Sequence, residues 1–156
     1  MQWVLLAYRL PREPSTPRIA LWRRLRRLGS IQIGDGLAAL PHDERTREQF
    51  DWLAAEIEEN GGEALVWLAE ASTAREQRGL EARLAAAVTE EYERLIDAAR
   101  AAESHAPTAR RRALARLRRN LNEIRGRDYL GSPALSRAEA SLDAVATREE
   151  VLRAPD

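Results

Sequence analysis

From Gln2 to Leu10 almost every position is apolar, with Trp3, Val4 and Tyr8 among them, the pattern of a short strand buried on both faces. Pro11 and Pro14 end it. Ser15 or Thr16 then offers a side-chain cap, Pro17 suits a first helical turn, and Leu21, Trp22, Leu25 and Leu28 form a helical stripe that stops at Gly29. Ile31, Gln32 and Ile33 alternate as a strand, Gly34-Asp35-Gly36 supplies residues able to take positive φ, and Leu37 to Leu40 resume an apolar strand. After Pro41, Asp43 can cap a second helix whose apolar face is Phe50, Leu53, Ala54 and Ile57, and which Asn60-Gly61-Gly62 stops. Ala64 to Ala69 reads as a last strand. This order of strand, helix, strand, strand, helix, strand is the split βαβ pattern, and it predicts an α+β, ferredoxin-like βαββαβ domain over residues 1–71. Its antiparallel strands are expected near 3–10, 30–33, 37–41 and 63–69, with both helices on one face of the sheet.

From Ser72 the period changes. Leu80, Leu84, Val88, Tyr92, Leu95 and Ala99 recur at spacings of four and three up to Glu103, which predicts a helix roughly 45 Å long. Pro107 breaks the run, Thr108 can cap, and Leu114, Leu117, Leu121 and Ile124 repeat at coiled-coil spacing. Neither stripe can stay exposed over such a length without inviting association. An antiparallel helical hairpin that buries one against the other, or both against a second copy, is the expected solution. A loop from Gly126 to Pro133 leads into a short final helix from Ala134, and the last half-dozen residues are expected to fray. Residues 72–156 are therefore read as a helical hairpin extension with a C-terminal helix.

Composition narrows the function. The longest apolar run, Trp3-Val4-Leu5-Leu6-Ala7-Tyr8, falls far short of a membrane span, and no charged-then-apolar leader precedes it, so a soluble, cytoplasmic protein with no membrane partner is expected. Without cysteine, disulfides and thiolate chemistry are excluded. All 25 basic residues are arginine, the side chain suited to bidentate phosphate contact, and they are unevenly placed although net charge is zero. Residues 1–41 hold seven Arg against two acids and 104–127 hold eight against one, whereas 42–72 hold two against nine. Any anion-binding surface should lie on residues 1–41 or 104–127.

Two clusters follow. Arg18, Arg23, Arg24, Arg26 and Arg27 lie on the solvent side of the first helix, where they can grip phosphates or be neutralised by Glu48, Asp51, Glu56, Glu58 and Glu59 of the neighbouring second helix. Arg110, Arg111, Arg112, Arg116, Arg118, Arg119, Arg125 and Arg127 have only Glu123 among them. On a helical wheel Arg111, Arg118 and Arg125 flank one side of the leucine stripe, and Arg112, Arg116, Arg119 and Arg127 occupy the other side and the back. Acids of the long helix, Glu81, Glu90, Glu91 and Asp97, can reach one flank at most, so the rest must face solvent or a polyanion.

Catalytic chemistry finds no support in the residues. His42 and His105 stand alone beside helix breakers and read as loop or cap residues, with no metal site, and no cofactor is called for. Gly34-Asp35-Gly36 is too short to cradle a phosphate and is explained by turn chemistry. Glu58-Glu59 and Glu90-Glu91 read as solvated helix faces, and Trp3, Trp22, Trp52 and Trp67 as core or interface residues. The chain is not expected to be an enzyme.

Trp3-Val4-Leu5-Leu6-x-Tyr8-Arg9-Leu10-Pro11, Pro14-Ser15-x-x-Arg18 and Trp22-Arg23-x-Leu25-x-Arg27-Leu28-Gly29 together resemble the N-terminal domain of the ChrB family of chromate-resistance regulators. The resemblance continues through Asp35-Gly36, Leu40-Pro41, Trp52-Leu53-x-x-Glu56-Ile57 and Gly61-Gly62-Glu63-Ala64, and reappears at Glu90 and Tyr92, Arg127-Asp128-Tyr129 and Pro133. The sheet domain is also similar to the ferredoxin-like module of PaaX-type regulators and CRISPR adaptation nucleases. The resemblance implies a DNA-binding transcription-regulatory module, with the arginines at 23–27 and 110–127 as contacts. The family's usual chain continues into a second domain linked with sensing, so a separate sensing domain is an implied partner. A non-catalytic interaction module that homodimerises or docks through its long helices is the alternative. A phosphodiesterase would need a metal-binding acid at the end of the first strand, where Arg9 and Leu10 stand instead.

Overall fold

The computed structural model describes residues 1–153, organised as two compact units, the first Met1–Leu84 and the second from Ala85 onward. The first unit contains β1 (Trp3–Arg9), α1 (Thr16–Leu28), β2 (Ile31–Gly34), β3 (Leu37–Pro41), α2 (Glu44–Glu59), β4 (Glu63–Ala69) and the start of α3 (Ala74–Glu103). Its strands form one antiparallel sheet in the order β2-β3-β1-β4. This is the expected ferredoxin-like arrangement, with strand limits within a residue of those read from the pattern. The turn chemistry accounts for the agreement. Gly29 ends α1 at φ 75° and its N–H reaches the Arg26 carbonyl, while Ser30 N–H reaches that of Leu25, a Schellman motif that only a glycine accommodates without strain. Asp43 and Thr46 close the start of α2 with a reciprocal capping box.

Alternation along the strands divides the core. Val4, Leu6, Ala38 and Leu40 are fully buried on one face, where α2 lies over β1 and β4 and contributes Phe50, Leu53 and Ile57. Helix α1 turns Leu21 and Leu25 inward. On the other face Trp3, Leu5, Ile31, Ile33 and Ala39 meet Leu80 and Leu84 from the first turns of α3, and Trp3 Nε1 donates to Gln77 Oε1 at 2.8 Å. The apolar stripe of the long helix is therefore not devoted to its hairpin partner as expected. Its first two leucines complete the sheet domain.

The second unit comprises the rest of α3 with α4 (Pro107–Gly126) and α5 (Ala134–Arg153). Its core joins Val88, Tyr92, Leu95, Ile96 and Ala99 to Leu114, Leu117, Leu121 and Ile124, and to Ala134, Ala138, Leu142 and Val145. The expected hairpin is thus a three-helix bundle, and the short final helix is a full 20-residue member of it. Spacings of four, four and three along α5 carry the stripe, but half of its members are alanines. With both long stripes buried inside the chain, no second copy is needed to cover them. Of the half-dozen terminal residues expected to fray, the first three belong to α5, which runs to Arg153, and the last three lie outside the described residues.

The α4–α5 loop is tied down by the motif that carries part of the resemblance. Tyr92 Oη donates to Asp128 Oδ2 at 3.0 Å, Ser132 N–H donates to the same carboxylate, and the Arg127 guanidinium pairs with Glu91. Burial, and then the Asp128 carboxylate, push the Tyr92 hydroxyl above the usual tyrosine range, so it stays a protonated donor. Arg127 and Asp128 hold structure together.

Candidate functional site

Helix α1 begins at Ser15, whose side chain makes no capping hydrogen bond, and its first turn carries no acid. Because Leu21 and Leu25 face the core, the helix turns Arg18, Arg23, Arg26 and Arg27 to solvent. Arg24 lies on the flank beside α2 and forms an ion pair with Glu56, the neutralisation the neighbouring acids suggested. The Arg26 guanidinium stacks 4.9 Å from the centre of the Trp22 ring. Arg18, Arg23 and Arg27 make no ion pair or side-chain hydrogen bond among the described residues.

Next to this helix is an open cleft of about 1100 Å³, bounded by the end of β1, the outer face of α1 and the β2–β3 turn. Tyr8, Arg9, Arg18, Trp22, Arg23 and Gln32 line it, and Asp35 is the one acid among its described lining residues. Gln32 Nε2 donates to Tyr8 Oη at 3.1 Å and to the Gly34 carbonyl at 3.0 Å. Gly36 closes the turn at φ 69°, where a Cβ would sit 2.3 Å from the Tyr8 carbonyl oxygen. Only glycine lets the hairpin approach β1 this closely. Such a cleft, cationic with an aromatic wall, suits an anion that carries a flat or apolar part. Arg9 is not among the residues singled out from the sequence, although it stands where the apolar run of β1 breaks.

Helix α4 sorts its arginines differently from the expected pattern. Arg110 is only 6% exposed; its Nη2 donates to the His105 carbonyl at 2.7 Å and its Nη1 lies 3.4 Å from Glu149 Oε1. Arg111 Nε lies 3.5 Å from the other oxygen of Glu149. Arg110 was expected to contact DNA and is instead an internal strut, because position 110 falls on the same helical face as Leu114, Leu117 and Leu121. The acid that engages it comes from α5, not from α3. Among the α3 acids considered for this role, Glu91 pairs with Arg127, whereas Glu90 pairs within its own helix with Arg94. Arg112, Arg116, Arg118 and Arg119 remain exposed, with no ion pair or side-chain hydrogen bond among the described residues. Arg112, Arg116 and Arg119, at spacings of four and three, share one side of the helix.

The tryptophans divide between core and surface. Trp3 is buried, but Trp22, Trp52 and Trp67 are 57%, 63% and 55% exposed. Trp22 lies between the core stripe and the arginines, Trp52 on the flank of α2, and Trp67 on an edge strand. His42 and His105 sit in the connections before α2 and α4, as their breaker neighbours implied. Among the described residues no cluster of His, Asp and Glu could hold a metal ion, and no helix is long and apolar enough to cross a membrane.

The model of the family described as Protein ChrB, N-terminal, matches residues 18–106. Protein ChrB of Cupriavidus metallidurans is 30% identical over 141 residues, which cover 88% of this chain and 43% of that protein. The family match takes in most of α1, strands β2, β3 and β4, α2 and all of α3, more than half of the sequence. On that ground the chain belongs to the ChrB family, as a representative of its N-terminal domain.

Proposed function

We propose that this chain is a non-catalytic, cytoplasmic DNA-binding module that regulates transcription within a chromate-resistance system. The observation that carries the reading is the set of arginines without protein partners among the described residues: Arg112, Arg116, Arg118 and Arg119 on α4, and Arg18, Arg23 and Arg27 on α1. Exposed guanidinium groups on a rigid helix lose little by binding phosphate, since neither desolvation nor a competing carboxylate opposes them. Binding then proceeds by neutralising backbone phosphates and releasing counterions, without bond-making chemistry. Arg26, stacked on Trp22, keeps its charge and adds to the field of α1. Response to an effector belongs, on this reading, to a separate sensing domain.

Titration against duplex DNA at several salt concentrations tests this. Log affinity should fall linearly with log salt, with a slope of about −0.9 per phosphate contact. No binding at low salt would sink the reading. A second reading, a protein-interaction module, is favoured by one observation, the exposed Leu65 and Trp67 on β4. An apolar interface of that kind keeps its affinity as salt rises.

A further inference from the structure

Strand β4 is an edge. It pairs with β1 on one side, and no other described strand lies against it. Edge strands usually carry a charge, a proline or a bulge that discourages pairing with another chain. From Ala64 to Ala69 this strand has none of them, and Leu65, Trp67 and Leu68 are 61%, 55% and 42% exposed. Its register with β1 places Leu65 opposite Ala7 and Trp67 opposite Leu5, on the face that α3 covers farther along through Leu80 and Leu84. Helix α3 leaves the β4 end of that face bare.

We propose that β4 pairs antiparallel with β4 of a second copy, about a two-fold axis at Val66, to form a continuous sheet across a homodimer. The strand is its own complement in this register. Leu65 meets Trp67 of the other copy twice, an aliphatic–aromatic cross-strand pair, and Leu68 meets the small Ala64. A shift by one residue would set the bare face of one sheet against the helix-covered face of the other. Shifts by two put Trp67 against Trp67 or Leu65 against Leu65 and shorten the paired stretch. Charge agrees as well. Glu63, the strand's acid, falls opposite Ala69 rather than another carboxylate, and in its own sheet it stands in register with Arg9. A C2 pairing is the commonest closed arrangement for identical chains. One strand edge with three large side chains buries less than about 1,200 Å², the range of weak, reversible interfaces, so a micromolar dimer is expected.

The experiment uses the full chain without nucleic acid, so its outcome is independent of DNA binding. Sedimentation velocity from micromolar to hundreds of micromolar should show a reversible monomer–dimer equilibrium. Trp67→Glu, at an exposed position, should weaken it at least tenfold while the circular dichroism spectrum is unchanged. Because the protein has no cysteine, Val66→Cys should give a disulfide-linked dimer on mild oxidation, and Ala55→Cys on exposed α2 should not. A chain that stays monomeric throughout overturns the proposal and leaves β4 to a different partner. A dimer that tolerates Trp67→Glu and does not cross-link through Cys at position 66 overturns it too.

Discussion

Helices α1 and α4 carry arginine at nearly the same density, yet the fold treats the two clusters differently. In α1 the helix face decides: only Arg24, on the flank toward α2, meets an acid among the described residues, and Arg26 finds an aromatic ring. In α4 the core intrudes. Arg110 falls on the buried face and is held by Glu149, 39 residues away in sequence, which also takes Arg111. A run of arginines in a sequence is therefore a weak guide to free charge. What counts is the helical phase of each residue and the acids that a later element brings alongside.

The largest expected effect tests that phase. Glu149→Ala should destabilise the second unit by about 3–5 kcal/mol in denaturant unfolding, because it strands a buried guanidinium that also has an unpartnered Nε. Replacing Arg110 and Glu149 together by Met should recover much of that loss. If Glu149→Ala unfolds like the parent, the pair is not buried in solution and Arg110 returns to the set of DNA contacts.

Next in size is the effect on DNA affinity of removing the free side of α4. Arg112, Arg116 and Arg119 replaced by Gln should lower the slope of log affinity against log salt by about 0.9 for each phosphate no longer engaged, largely regardless of base sequence. The same treatment of Arg18, Arg23 and Arg27 tests α1. A larger drop from the α1 variant would make α1 the main contact, although residues 104–127 hold only one acid, Glu123.

Much of the fold is legible in the sequence, and the gaps have common physical causes. Strands, turns and helix limits before residue 70 are readable because Pro11, Gly29, Gly34, Gly36 and Gly61 punctuate short apolar runs of clear period. Helix α5 reads as shorter than it is because alanines bury well but give little amphipathic contrast. The division of the α3 stripe between a sheet and a bundle is invisible in a periodicity that stays constant through Leu84 and Val88. Pairing between Arg110 and Glu149 depends on tertiary contact, as does the convergence of Arg9 with Arg18 and Arg23 at one cleft. Exposure of Trp22, Trp52 and Trp67 escapes a sequence reading because hydrophobicity predicts burial only on average.

A smaller effect separates structural from binding residues in the family motif. Tyr92 is fully buried, and its hydroxyl holds its proton above the usual value near 10. The folded state then keeps a proton that the unfolded chain releases, so Tyr92 contributes no pH dependence below about pH 10 and stability falls as pH rises beyond it. Tyr92→Phe should cost about 1 kcal/mol at neutral pH and make the alkaline decline shallower, with DNA affinity unchanged. A loss of affinity without a loss of stability would move Asp128 and its loop from support to interface.

The smallest expected change is the most direct contrast between α1 and α4, because it adds a free charge where the other variants remove one. Arg24 and Glu56 are 35% and 45% exposed, so their ion pair contributes no more than about 0.5 kcal/mol to stability. Glu56→Gln should leave the melting temperature nearly unchanged while releasing the Arg24 guanidinium. If α1 lies along the phosphate backbone, the freed arginine adds one contact: affinity at low salt rises, and the salt slope steepens by up to about 0.9. If DNA is held by α4 alone, both quantities stay at the parental value, since Arg24 then faces only solvent. A fall in affinity would mean that Glu56 positions Arg24 for its contact, and that the ion pair on α1 is part of the binding surface rather than a drain on it.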